Sequence, residues 1–367
     1  NLDGAIADYN KALDINPNDA TAYYTYYNRG VARRDQGNLN GAIADFTQAL
    51  DINPNYANAY FNRGEARYQQ GNLDGAIADF TQALNINPND ANAYFNRGEA
   101  RNQQGNLDGA IADFTQALNI NPNNANAYFY RGIARCHQGN LDGAIADFTQ
   151  ALNINPNNAN AYFYRGIARY HQGNLDGAIA DYSKALDINP NYVTAYYNRG
   201  IARYEQGNLN GAMADYSKAL DINPNYAEAY GNRGNARYQQ GNLDGAIADF
   251  TQALDINPNY AEAYSNRGLA RCHQGNLDGA IADHSKALDI DPNYVTAYFN
   301  RGLARYHQEN LDGAIADYSK AININPNDAG AYHNRGVVHG EQGNLDGAIA
   351  DYSKALDINP NYATAYT

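Results

Sequence analysis

The 367-residue chain is 44% hydrophobic and 18% charged, with 33 Tyr, no Trp and a formal net charge of −13. No run approaches the ~18 consecutive apolar residues that cross a bilayer, which argues against membrane insertion, and the negative balance repels phosphate backbones, which argues against nucleic acid as a partner. The first residue is Asn1 rather than Met, so a targeting segment ahead of it is compatible with the sequence and the cellular location stays open.

The dipeptide Pro-Asn recurs at Pro54, Pro88, Pro122, Pro156, Pro190, Pro224, Pro258, Pro292, Pro326 and Pro360, each 34 residues after the last. A period between about 20 and 50 residues marks a solenoid rather than two or three globular domains. In chain order, residues 1–19 read as the second helix of a leading partial unit. Residues 20–362 read as ten tandem units forming one solenoid, and residues 363–367 as the start of a following unit. The first unit is longer, because Pro17 and Pro54 are 37 residues apart. The three extra residues, readable as Tyr23 to Thr25, fall just short of one ~3.6-residue turn, so the first helix is expected to lengthen while roughly keeping its face.

Within the unit from Ala57 to Asp90, the first half predicts a helix over 59–70, carrying Tyr60, Gly64 and Ala66 and closed by Gly71 as a C-terminal glycine. The second half places Leu73, Ala76, Ile77, Phe80, Ala83 and Leu84 on one stripe of a second helix, expected to be buried. Asn72 stands where an N-cap belongs, with Asp74 near the positive end of the helix dipole. Pro88 stops this helix, and Asn89 or Asp90 is placed to cap the next. Small residues at Gly64, Ala66, Ala76 and Ala83 allow the two helices to approach closely.

Two charged positions recur in step. Arg63 and Arg67 return as Arg97 and Arg101, then Arg131 and Arg135, while Asp79 returns as Asp113, Asp147 and Asp181; ion pairs between helices that fix register are expected. Gly75 and its copies sit in a helical first turn, where glycine costs ~1 kcal/mol relative to Ala. No local reason for them is evident, and close approach by another chain is one reading. Cys136 and Cys272 lie four units apart, which a solenoid separates far beyond the ~7 Å that a disulfide spans.

No nucleotide-binding loop, zinc-helix or nucleophile-elbow string is present, so no enzyme and no cofactor is expected. Segments such as Asp187-Ile-Asn189-Pro-Asn191 imitate the opening of a calcium loop, but Tyr192 stands where that loop needs Gly. The pairs Cys136-His137 and Cys272-His273 diverge by ~100° around a helix and lie in different units, so no metal site is expected.

Tyr60, Gly64, Gly71, Ala76, Phe80, Ala83 and Pro88 fall at the spacing of the tetratricopeptide repeat, which the whole chain resembles as a bacterial-type array of near-identical copies. The resemblance implies an all-α fold, an α-solenoid built as a right-handed superhelix of antiparallel helix pairs. It also implies a non-catalytic protein–protein interaction scaffold whose concave groove, lined by first helices, takes an extended peptide or a partner helix. On that face the resemblance implies an asparagine ladder of Asn28, Asn62, Asn96, Asn198, Asn232, Asn266, Asn300 and Asn334, interrupted by Tyr130 and Tyr164. Each amide offers a donor and an acceptor to a peptide backbone; bonding between neighbouring helices is the equal alternative. Phe61, Phe95, Phe129, Phe163, Tyr197 and Phe299 add apolar area beside them. The family's clamp for carboxyl-terminal peptides needs Lys where this chain has Asn58, Asn92 and Asn126, so that partner class is not expected. Because the copies are nearly identical and neither end carries a polar capping helix, a filament subunit that assembles head to tail with itself is the alternative function.

Overall fold

The computed structural model describes residues 2–17 and 19–361. Among them it holds 21 α-helices and no strand, gathered into two compact units, Asn1–Pro190 and Asn191–Thr367. Each unit is an α-solenoid of antiparallel helix pairs: a 13-residue first helix such as Ala57–Gln69, then a 14-residue second helix such as Leu73–Ile86. The leading second helix is Leu2–Ile15, whereas the expected start of a further unit at 363–367 lies outside the described residues. Within each unit, successive first helices touch one another directly, as Ala57–Gln69 and Ala91–Gln103 do.

The turn inside a pair is set by two residues. Gly71 adopts φ +80°, the left-handed conformation that L side chains disfavour, and lets the Asn72 amide return to the Arg67 carbonyl at 2.9 Å. The Asn72 side chain then accepts from the Gly75 amide at 3.0 Å and caps the second helix. This capping also explains Gly75 without any outside chain. A Cβ on Gly75 would lie 2.8 Å from the Asn72 amide nitrogen and 3.0 Å from Cδ of Arg67. Gly64 is fixed in the same way by the Phe80 ring, whose Cε1 would stand 2.8 Å from a Cβ there. At the start of the next first helix Asp90 caps as expected, but Asn89 does not, and where Tyr replaces the cap, as at Tyr56 and Tyr226, no side chain takes over.

On the second helix Ala76, Phe80, Ala83 and Leu84 are buried, but Leu73 and Ile77 are only half-buried. Asp79 is buried at 2% exposure. Its two oxygens accept from Arg63 at 2.8 and 3.0 Å in a bidentate fork, and one accepts again from Arg67 at 2.7 Å. The remaining Arg63 nitrogen donates to the Thr47 hydroxyl of the preceding repeat at 3.0 Å, and that hydroxyl donates to the Ile43 carbonyl. The Arg63 guanidinium also lies 5.5 Å from the centre of the Tyr60 ring. Asp113, Asp147 and Asp181 repeat the arrangement in the first unit, and Asp249 and Asp317 repeat it in the second. A further tie joins Gln104 to Asp74 of the preceding repeat at 2.6 Å.

Three irregularities stand out. In the first repeat the helix Ala22–Asp35 is one residue longer than the others, so the other two inserted residues lengthen the connection ahead of it rather than the helix. Glu309 occupies the position of Gly71 and adopts φ 59°. His284 takes the place of Phe80, is fully buried, and has no hydrogen-bond partner for either ring nitrogen.

These features give three expected outcomes. Asp113→Ala leaves two half-buried guanidiniums uncompensated, a loss of ~3 kcal/mol, so amide exchange in 91–120 should accelerate roughly a hundredfold, and less when Arg97 and Arg101 are made apolar as well. Glu309→Gly removes the left-handed strain and should stabilise its repeat by ~1 kcal/mol in the same assay. Burial, with a smaller contribution from Arg301, pushes His284 down to about 4, below its unfolded value of ~6.5. The unfolded chain therefore binds the extra proton first, and stability should fall as pH drops from ~6.5 toward 4, by up to ~3 kcal/mol. His284→Phe should abolish that component in melting curves taken across the range.

Candidate partner-binding face

The aromatic residues expected to line a groove sit on the first helices and lean on the second helix of their own repeat. Phe61 meets Phe80 with ring centres 5.7 Å apart, and Phe95, Phe129, Phe163, Tyr197 and Phe299 meet Phe114, Phe148, Tyr182, Tyr216 and Tyr318 at 5.7 to 6.0 Å. Phe163 is buried outright and the others are half-buried, so each is first a packing residue.

The asparagine series divides. Asn62 is buried; its amide donates to the Tyr27 hydroxyl at 3.2 Å and to the Asn58 carbonyl at 2.8 Å, and its oxygen accepts from Arg34 at 2.5 Å. Asn96 donates to Glu65 at 3.3 Å, Asn232 to the Tyr197 hydroxyl at 3.0 Å, and Asn266 to Asn235 at 3.0 Å. Asn334 bonds the Tyr318 hydroxyl. Only Asn28, Asn198 and Asn300 make no side-chain hydrogen bond to any described residue. The alternative of amides that tie neighbouring helices thus describes five members and leaves three open. Tyr130 and Tyr164 fill the same position by stacking near Phe114 and Phe148.

Between successive first helices the face opens into recesses that recur at equivalent positions. One, of about 230 Å³, is lined by Glu65, Tyr68, Gln69, Phe80, Asn96 and Glu99. In the second unit the same positions four repeats on, Ile201, Tyr204, Glu205, Tyr216, Asn232 and Asn235, line a recess of about 190 Å³. A smaller one of about 40 Å³ lies among Leu303, Tyr306, Tyr318, Asn334, Val337 and Val338. Glu65 and Glu99 are both half-buried, and burial raises both carboxyls; Arg34 opposes this at Glu65, and a hydrogen bond from Tyr130 opposes it at Glu99.

Helices paired through a left-handed glycine, or Glu309 at one turn, and an asparagine cap recur every 34 residues after the longer first unit and define the repeat. The family model described as "TPR repeat" matches nine consecutive stretches from residue 30 to residue 343, and a second one, "Tetratricopeptide repeat", matches 329–362. The chain is a tetratricopeptide repeat protein. No curated protein matches it. Among solved structures it is similar to the C-terminal part of a tetratricopeptide repeat protein from Cytophaga hutchinsonii, at 19% identity and a TM-score of 0.55, covering 65% of this chain and 98% of that one. It is also similar to a chain of the APC/C hetero-tetramer Cut9-Hcn1, at 16% identity and a TM-score of 0.51, covering 98% and 80%. MamA matches at 30% identity over 45% of this chain and 96% of its own, with a TM-score of 0.43. Tetratricopeptide repeats are protein–protein interaction scaffolds, and that coarse function holds here.

The recess position escaped the sequence reading, although its signal was available. With the tetratricopeptide units laid in register, the second helix barely changes, while the position of Glu65 runs through Glu99, Ile133, Ile167, Ile201, Asn235, Leu269, Leu303 and Val337. The thiols carry no sign of chemistry: burial pushes Cys136 up to about 11 and raises Cys272, away from the reactive thiolate. No group of three or more His, Cys, Asp or Glu that could hold a metal exists among the described residues. No helix among them is long and apolar enough to cross a membrane.

Proposed function

We propose that this protein is a non-catalytic scaffold that binds an extended peptide, or a partner helix, along the face formed by its first helices. The observation that carries the reading is the recesses between successive first helices; in the second unit the helices Val193–Glu205 and Val295–His307, which line two of them, also carry the unbonded amides of Asn198 and Asn300. A recess of this kind accepts one side chain, while a free amide bonds a peptide backbone of any sequence. The bonded members of the asparagine series serve stability instead. Peptides selected on the full chain from a random-sequence library should therefore lose affinity with Asn198→Ala and Asn300→Ala together, with melting unchanged. Asn62→Ala should lower the melting temperature, since it removes three buried hydrogen bonds worth ~1 kcal/mol each. Unchanged affinity in the double variant would place the peptide on another face.

A second reading, head-to-tail association between copies, takes its support from the near-identity of the repeats, which makes the faces by which successive repeats pack interchangeable between copies. Sedimentation at rising concentration separates the two: growth that stops when a polar capping helix is appended supports association between copies.

A further inference from the structure

The recess between Ala57–Gln69 and Ala91–Gln103 differs in kind from its equivalents. It holds two carboxylates, Glu65 and Glu99, where the other recesses carry Ile201 with Asn235 and Leu303 with Val337. We propose that this recess is a subsite for a cationic side chain, a Lys or Arg presented by an extended segment of the partner. The proposal rests on the peptide-binding reading above and adds to it the charge of the ligand at one address.

The two carboxylates are not equivalent. Glu65 is already satisfied: one oxygen accepts from Arg34 at 2.6 Å and the other from Asn96 at 3.3 Å. Glu99 forms no ion pair with any described residue, and its partner is the Tyr130 hydroxyl. A half-buried carboxylate without a countercharge costs free energy that an incoming cation recovers. Burial raises the Glu99 carboxyl, against a smaller opposing effect of the Tyr130 hydrogen bond, in agreement with that cost. Nearby cations do not supply the missing charge, because Arg34 is engaged by Glu65 and Asp35, while Arg63, Arg67, Arg97 and Arg101 are committed to Asp79 and Asp113.

The walls fit the same ligand. Half-buried Tyr68 presents aromatic surface, on which the aliphatic stem of a Lys or Arg packs and near which its charged head is favoured, over a floor closed by the fully buried Phe80. At about 230 Å³ the space is several times the ~30 Å³ of one water. The exposed Gln69 at the rim offers an amide group to the backbone that carries the side chain.

The repeats themselves supply a safe variant. Ile133 occupies the Glu99 position one repeat later in the same helical setting, so Glu99→Ile is a lining the fold already accepts. Peptides are selected from a random-sequence library on the full chain and on Glu99→Ile, and their affinities are compared with Glu99→Gln by calorimetry. Enrichment of Lys or Arg on the unaltered chain, an affinity loss of roughly tenfold in Glu99→Gln, and a shift to apolar residues on Glu99→Ile are the expected results. Peptides without that enrichment overturn the cationic subsite and leave the peptide-binding reading standing. Lys-rich or Arg-rich peptides whose affinity ignores Glu99→Gln also overturn it, since they would report only attraction to the net charge of −13. If no peptide is recovered, both readings fall together.

Discussion

The Asp79 carboxylate and its copies are the contact around which the array is organised. Each is buried beneath two guanidiniums, except Asp351, where His339 stands in place of the second, and the geometry leaves little slack, with the Arg63 fork closing at 2.8 and 3.0 Å and Arg67 at 2.7 Å. Because Arg63 also reaches back to Thr47, one guanidinium joins both helices of its repeat to the repeat before. A buried ion pair of this kind adds little net stability over well-packed apolar residues, but it punishes misalignment, since a shifted helix would strand charges out of water. In a chain whose repeats are nearly interchangeable, that penalty holds each first helix against the right second helix. The close approach is completed by Gly64, where any larger residue would collide with the ring of Phe80.

The two helices of a repeat have different freedoms. The second carries the cap, the aspartate, the aromatic and the alanines, all engaged in contacts that recur unchanged, and its sequence scarcely varies. The first supplies the two arginines, the close-packed glycine, the constant Tyr60 position and, after the first repeat, the constant Ala59 position, but the positions of Phe61, Asn62 and Glu65 vary in size, polarity and charge. A uniform frame therefore coexists with a non-uniform surface. Near-identity between copies, read over the whole repeat, conceals this, because most of each repeat is frame.

Much of the fold was legible in the sequence because its determinants are local. The 34-residue period, the proline stops, Gly71 and Asn72 act within one turn of themselves, and the Arg and Asp spacing on adjacent helices announced the ion pairs. What was not legible depended on groups folded back or brought from the next repeat. Gly75 looked unexplained because its constraint is the capping side chain of Asn72 lying over it together with Arg67. Leu73 and Ile77 satisfied the helical stripe, yet the core admitted Asp79 while leaving these two partly open. The asparagine series looked uniform because the partners that distinguish its members, Tyr27, Glu65, Tyr197 and Asn235, lie 31 to 35 residues away.

The reach of the Arg63-type side chain, one repeat and no further, bears on how such a chain can change. Bonds between repeats join neighbouring repeats, as Arg97 to Thr81, 16 residues earlier, and Gln104 to Asp74, 30 residues earlier, do. Duplicating or deleting one whole period brings an equivalent Thr or Ser and an equivalent Asp or Asn into place at the new junction. Copy number is then free to drift without rewriting any contact in the frame, and each such event would change how many repeats of sequence separate the Glu65 and Glu99 positions from those of Ile201 or Leu303, so that gain or loss of a single repeat alters the order of side chains carried by the first helices.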